Sequence, residues 1–102
     1  MADWRAVERR TARLLGATRT GNRGKAAADV QNSWLVAECK TRRKFPTWLT
    51  GAMRQAVAAA EGRLPVVVLH EHGARSADDL VVVRMADFVA YFGGAETPTE
   101  GT

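Results

Sequence analysis

The stretch Ala28-Asp29-Val30-Gln31-Asn32-Ser33-Trp34-Leu35-Val36-Ala37-Glu38-Cys39-Lys40 decides how this chain is read. An Asp ends one short apolar run and a Glu-x-Lys ends the next. Between them, Gln31-Asn32-Ser33 reads as a turn and Trp34-Leu35-Val36-Ala37 as a buried strand, so the whole reads as a β-hairpin. Side chains alternate along a strand, which puts Glu38 and Lys40 on one face and Cys39 on the other. An even-length turn sets Asp29 across from Val36. Asp29 and Glu38 are then diagonal neighbours on the face that Lys40 shares. Two carboxylates and an amine on one sheet face suit a hard divalent cation with a point charge beside it.

Working outward, the charge is unevenly spread. Residues 1–54 carry twelve Lys or Arg against four Asp or Glu, whereas residues 55–102 carry three against seven. The basic half is therefore the half that holds the acidic hairpin. A cationic surface around a few carboxylates suits a polyanion that meets a metal there. A general Arg bias of the proteome is the competing explanation. The length, 102 residues, is enough for one modest core. We expect a single domain over residues 1–92 and a disordered polar tail over 93–102. No apolar run approaches the ~20 residues of a membrane span. The N-terminus lacks a signal-peptide pattern, so the expectation is a cytoplasmic protein. Cys39 is the only cysteine, which excludes an internal disulfide and a cysteine-based zinc cluster.

Before the hairpin, Asp3 fits the N-cap of a helix running to about Leu15, with Gly16 as its stop. Trp4, Val7, Thr11, Leu14 and Leu15 fall at helical spacing and are expected to face the core. Arg5, Arg9 and Arg13 form a basic stripe outside. Glu8 stands at the edge of the apolar face, where an unpartnered carboxylate is costly. It is either salt-bridged to Arg5 or Arg9 or a third acidic group of the site. Residues 16–27 form a basic, Gly-rich loop in which 17–19 suit a short strand. Lys25 is followed by Ala26 rather than Ser or Thr, which rules out a Walker-type phosphate loop. Arg19, Arg23 and Lys25 contact phosphates on one reading and are solvated on the other.

After the hairpin, Thr41-Arg42-Arg43-Lys44 is a second basic cluster. Pro46-Thr47 opens a helix that runs to about Glu61 and stops at Gly62. Leu64 to Leu69 is a continuous apolar run, the pattern of a central strand covered on both faces. His70 and His72 follow it and carry only a weak metal signal. Leu80 to Val83 reads as another strand and Arg84 to Phe92 as a closing helix. The fold class is α/β, a small mixed β-sheet flanked by helices.

With these pieces in place, the chain resembles the PD-(D/E)xK nuclease superfamily, with its restriction-endonuclease-like core. It looks most like the small archaeal-type and phage Holliday junction resolvases. The matching parts are Glu8 in the first helix, the basic loop, Asp29, Glu38-Cys39-Lys40, and the helix and strand that follow, roughly residues 4 to 70. The family's Pro before the Asp is Ala28 here, and the C-terminal region is short, which affects the substrate more than the chemistry. The resemblance implies a Mg²⁺-dependent endonuclease that hydrolyses DNA phosphodiesters, with Mn²⁺ able to substitute. It implies Asp29, Glu38 and the Cys39 carbonyl as metal ligands, and Lys40 as the group that orients water or stabilises charge. Glu8 reaches in from the helix. Arg5, Arg9, Arg19, Arg23, Lys25, Arg42 and Arg43 are the expected DNA contacts. The implied partner is a four-way junction cut symmetrically by a homodimer, with no membrane and no small-molecule cofactor. The rival readings are another PD-(D/E)xK endonuclease, of virus-type replication-repair or restriction-like kind, a non-catalytic nucleic-acid-binding domain, and a structural protein.

Overall fold

The computed structural model describes residues 4–20 and 29–93. The capping role expected of Asp3, the loop positions Arg23 and Lys25, and residues 94–102 of the expected tail lie outside the described residues. The chain divides into two compact units, residues 1–42 with 92–102, and residues 43–91.

In the first unit, helix α1 (Trp4–Leu15) ends where Gly16 turns to a φ of 62°, a left-handed conformation that glycine adopts without steric cost. Its buried row is Glu8, Ala12 and Leu15. Trp4 and Leu14, expected in the core, are exposed. The buried face is rotated because Glu8 finds a partner inside, described below, and the small Ala12 lets the sheet approach.

That sheet has three short antiparallel strands, β1 (Thr18–Arg19), β2 (Val30–Gln31) and β3 (Val36–Ala37), with β2 in the middle. Arg19 lies opposite Val30, and Val30 opposite Ala37. Opposed residues share a face, and this face packs on α1. Val30 is fully buried there. Thr18, Gln31 and Val36 form the outer face and are exposed. Trp34 and Val36 were expected in a buried strand. Trp34 instead sits in the turn and Val36 on the open face, 68% exposed.

The turn itself is built by Asn32. Its Oδ1 accepts the Trp34 and Leu35 N–H groups, each at 3.0 Å, and its own N–H donates to the Leu35 carbonyl. Its Nδ2 reaches the Leu15 and Gly16 carbonyls at 3.2 and 3.3 Å, satisfying the open end of α1. One side chain thus fixes the hairpin register and ties it to the helix. Asn32→Ala is expected to cost about 2 kcal/mol, since four side-chain bonds, three of them part-buried, are lost at once. Urea unfolding checks this, and a loss under about 0.5 kcal/mol would reduce Asn32 to an ordinary surface residue.

In the second unit, α2 (Thr47–Ala60) starts after Pro46, whose carbonyl accepts the Leu49 and Thr50 N–H groups. It ends at Glu61 and Gly62, both with positive φ. Arg63 caps it by donating to the Ala59 and Ala60 carbonyls. β4 (Val67–Leu69) and β5 (Leu80–Val82) pair antiparallel on either side of a 3-10 turn at Ser76–Asp78. α3 (Met85–Phe92) follows, with Arg84 bonded to Asp87 across its first turn and the Tyr91 hydroxyl donating to the Gly62 carbonyl. An apolar groove of 990 Å³ lies between α2 and the start of α3, lined by Leu49, Met53, Val57, Val82 and Met85.

The architecture is therefore mixed α/β, with three helices and two small antiparallel sheets among the described residues. The single mixed sheet expected from the sequence is replaced by these two. β4 is not a doubly covered central strand, because Val68 and its opposite number Val81 are 56% and 62% exposed. α2 covers one side, and no described strand extends the pair. No helix of the described residues is long and apolar enough to cross a membrane.

Candidate active site

The candidate site stands at the end of the hairpin where the ladder stops. The observed register pairs Gln31 with Val36 and Val30 with Ala37. Continued by one step, it sets Asp29 directly across from Glu38, not across from Val36. The two-residue difference comes from the Asn32-built turn. It keeps the expected parity, and the extrapolated register is direct opposition rather than a diagonal. The ladder does not continue as backbone pairing at this point. Instead Asp29 Oδ2 accepts the Cys39 N–H at 2.7 Å, while the Asp29 carbonyl accepts the Thr20 N–H at 3.0 Å. Asp29 is thus pinned by its side chain to β3 and by its backbone to β1. A carboxylate taking a backbone N–H at this distance makes one of the stronger hydrogen bonds available.

Lys40 Nζ lies 3.5 Å from Glu38 Oε2, and both side chains are more than half exposed. Such a pair adds little stability, so both groups keep their freedom to engage a ligand. Cys39 is half-buried, and the Thr11 side chain of α1 is near enough to favour its thiolate.

The Cys39 thiol reports on its surroundings. Burial pushes its pKa above the ordinary value, and the negative charges of Asp29, Glu8 and Glu38 push it further the same way, against the Thr11 hydrogen bond. Asp29, Glu8 and Glu38 are thus each near enough to Cys39 to act on its thiol. The folded state disfavours the thiolate. The associated stability is present below the thiol's unfolded pKa and is lost as pH rises through the folded one. Iodoacetamide alkylation of Cys39 is expected to begin at higher pH than alkylation of a free thiol. Asp29→Asn is expected to move that pH profile downward, as removal of a neighbouring negative charge must. An unmoved profile would separate Asp29 from Cys39 electrostatically.

Glu8 is buried and paired. Its Oε1 accepts Arg19 Nε at 2.7 Å. The helix neighbours Arg5 and Arg9, expected as its partners, are not the ones that hold it. The partner comes from β1, where Arg19 shares the helix-facing side with Val30. Arg5 and Arg19 both lie over the Trp4 ring, with guanidinium carbons 4.5 and 5.8 Å from its centroid. Arg9, Arg42 and Arg43 are exposed. Arg42 belongs to the first unit and Arg43 to the second.

Among the described residues, no three His, Cys, Asp or Glu side chains gather into a group that could hold a metal. The chemistry of the donors at the hairpin end still fits Mg²⁺. Asp29 and Glu38 are hard oxygen donors, and a backbone carbonyl such as that of Cys39 is a donor of the same kind. Mg²⁺ keeps several waters and is commonly held by one or two carboxylates.

Two contributors carried no signal in residue type or spacing. Asn32 read only as a turn residue, and Trp4 only as core. A comparison with known proteins found no matching family model, no matching curated protein and no matching solved structure.

Proposed function

We propose that the chain is a Mg²⁺-dependent DNA endonuclease with a restriction-endonuclease-like core, and that its substrate is a branched DNA such as a four-way junction. The observation that carries this reading is the bond from the Cys39 N–H to Asp29 Oδ2, which ties Asp29 to the segment that carries Glu38 and Lys40. Support comes also from the order of helix, three-stranded sheet, helix and strand, and from the basic character of the first half of the chain.

On this reading Asp29 and Glu38 bind Mg²⁺ together with the Cys39 carbonyl. The bound ion supplies an acidified water and neutralises charge on the phosphate. Lys40 orients the attacking water or stabilises the charge that grows on the phosphoryl oxygens. Glu8, with one oxygen committed to Arg19, adds negative potential behind the site. Arg5, Arg9, Arg19, Arg23, Lys25, Arg42 and Arg43 meet the DNA backbone. Symmetric cutting of two strands requires two such sites, hence a homodimer.

The deciding experiment is cleavage of a labelled four-way junction, beside matched linear duplex, with Mg²⁺, Mn²⁺ or EDTA. Metal-dependent cutting that is abolished by Asp29→Asn or Glu38→Ala is the expected result. Cutting of the duplex alone favours the other PD-(D/E)xK endonucleases. A second reading, a non-catalytic DNA-binding domain, draws on the open, solvent-exposed Lys40–Glu38 pair. It requires binding that is equal in EDTA and no cutting with either metal.

A further inference from the structure

Arg19 is held at two points. Its Nε donates to the buried Glu8, and its guanidinium lies over Trp4. Among the described residues, Nε alone of its nitrogens has a hydrogen-bond partner. The side chain is nevertheless about one-third exposed. A guanidinium fixed in this way has already lost its rotamer freedom, and its remaining N–H groups match the two oxygens of a phosphate. Arg5 lies over the same indole, so a second cation belongs to the same small region of the surface. The place is also specific. Arg19 is one ladder step from Thr20, whose N–H donates to the Asp29 carbonyl.

We propose that Glu8 and Trp4 hold Arg19 as a preset fork for one DNA backbone phosphate, with Arg5 as the second cation, beside the strand position of Asp29. Glu8 is then a positioning residue for binding. The inference rests on DNA being the ligand, and it does not depend on cleavage. It has an unusual sign. An acidic side chain near a polyanion normally opposes binding, so removing one strengthens it. Here removing Glu8 frees Arg19 and weakens binding.

The test is fluorescence anisotropy of the full chain with a labelled short duplex and a labelled four-way junction, in EDTA, across a salt titration. Thermal melts confirm that each variant is folded. Arg19→Gln keeps a donor for Glu8 but loses the fork. It is expected to weaken binding about tenfold and to lower the salt slope by about one. Glu8→Ala is expected to weaken binding roughly fivefold, the cost of ordering one freed arginine. If Arg19→Gln melts below the assay temperature, Glu8→Ala decides alone. Tighter or unchanged binding by Glu8→Ala overturns the proposal, even if Arg19→Gln binds weakly, because Arg19 then acts without its anchor. Unchanged affinity and slope in Arg19→Gln overturns it as well. Both effects appearing in a protein that never cuts would remove the nuclease reading and leave the fork standing. A wild-type chain that binds neither DNA overturns both.

Discussion

Asp29→Asn is expected to lower Mg²⁺-dependent cleavage of a four-way junction by about 10³-fold. A metal contributes several kcal/mol of transition-state stabilisation. Losing about 4 kcal/mol of it is three decades in rate. The substitution is chosen because Asn keeps an oxygen that accepts the Cys39 N–H, the bond that pins the hairpin end. The fold should therefore survive and only the charge should go. Glu38→Ala is expected to match it in effect. Glu38 is exposed and its pair with Lys40 is open to water, so its removal costs little stability. Single-turnover rates with saturating enzyme separate this loss from weakened binding. Metal-free DNA binding is expected to persist in both variants, since neither change removes a cation. Undiminished cleavage by either one would falsify the site assignment.

The second large effect concerns stability. Arg19→Met strands the carboxylate of Glu8, whose side chain is only 9% exposed. Breaking a buried ion pair on one side costs about 3–5 kcal/mol. Arg19 is itself partly exposed, which places the expectation near 3 kcal/mol. For a chain of this size that lowers Tm by more than about 10 °C. The reverse change, Glu8→Leu, is expected to cost less, because the freed Arg19 reaches water along its own stem. The double variant Glu8→Leu/Arg19→Met should recover most of the loss, since no buried charge is left behind. Thermal unfolding of the three variants forms a double-mutant cycle. Equal, small losses in both single variants would mean that the pair is solvated rather than buried.

Much of the fold could be read from the residues because the signals were local. Gly16 and Gly62 marked helix ends and adopt the positive φ that such ends use. Pro46-Thr47 marked a helix start. What could not be read depended on side chains meeting from distant positions. The hairpin register is set by Asn32 bonding forward to Leu35 and back to Leu15, and residue spacing encodes neither. Helix spacing offers Glu8 either Arg5 or Arg9 as a salt-bridge partner or a place in the acidic site, but the partner it has arrives from β1. The apolar runs at 34–37 and 64–69 were read as buried, yet a sheet with one helix on one side leaves alternate residues in water, as Val36 and Val68 are. At the candidate site, strand parity puts Asp29 and Glu38 on one face. The register of the strand residues before them, 30 with 37 and 31 with 36, required the turn.

Among the described residues of the first unit, only Ala12, Leu15 and Val30 are apolar and nearly or fully withdrawn from solvent. The hairpin end is therefore held less by oily contact than by directional bonds at Asn32, Asp29 and Glu8. Hydrophobic stabilisation weakens on cooling. A scaffold tied in this polar way loses less of its stabilisation on cooling than an oil-packed one of the same size.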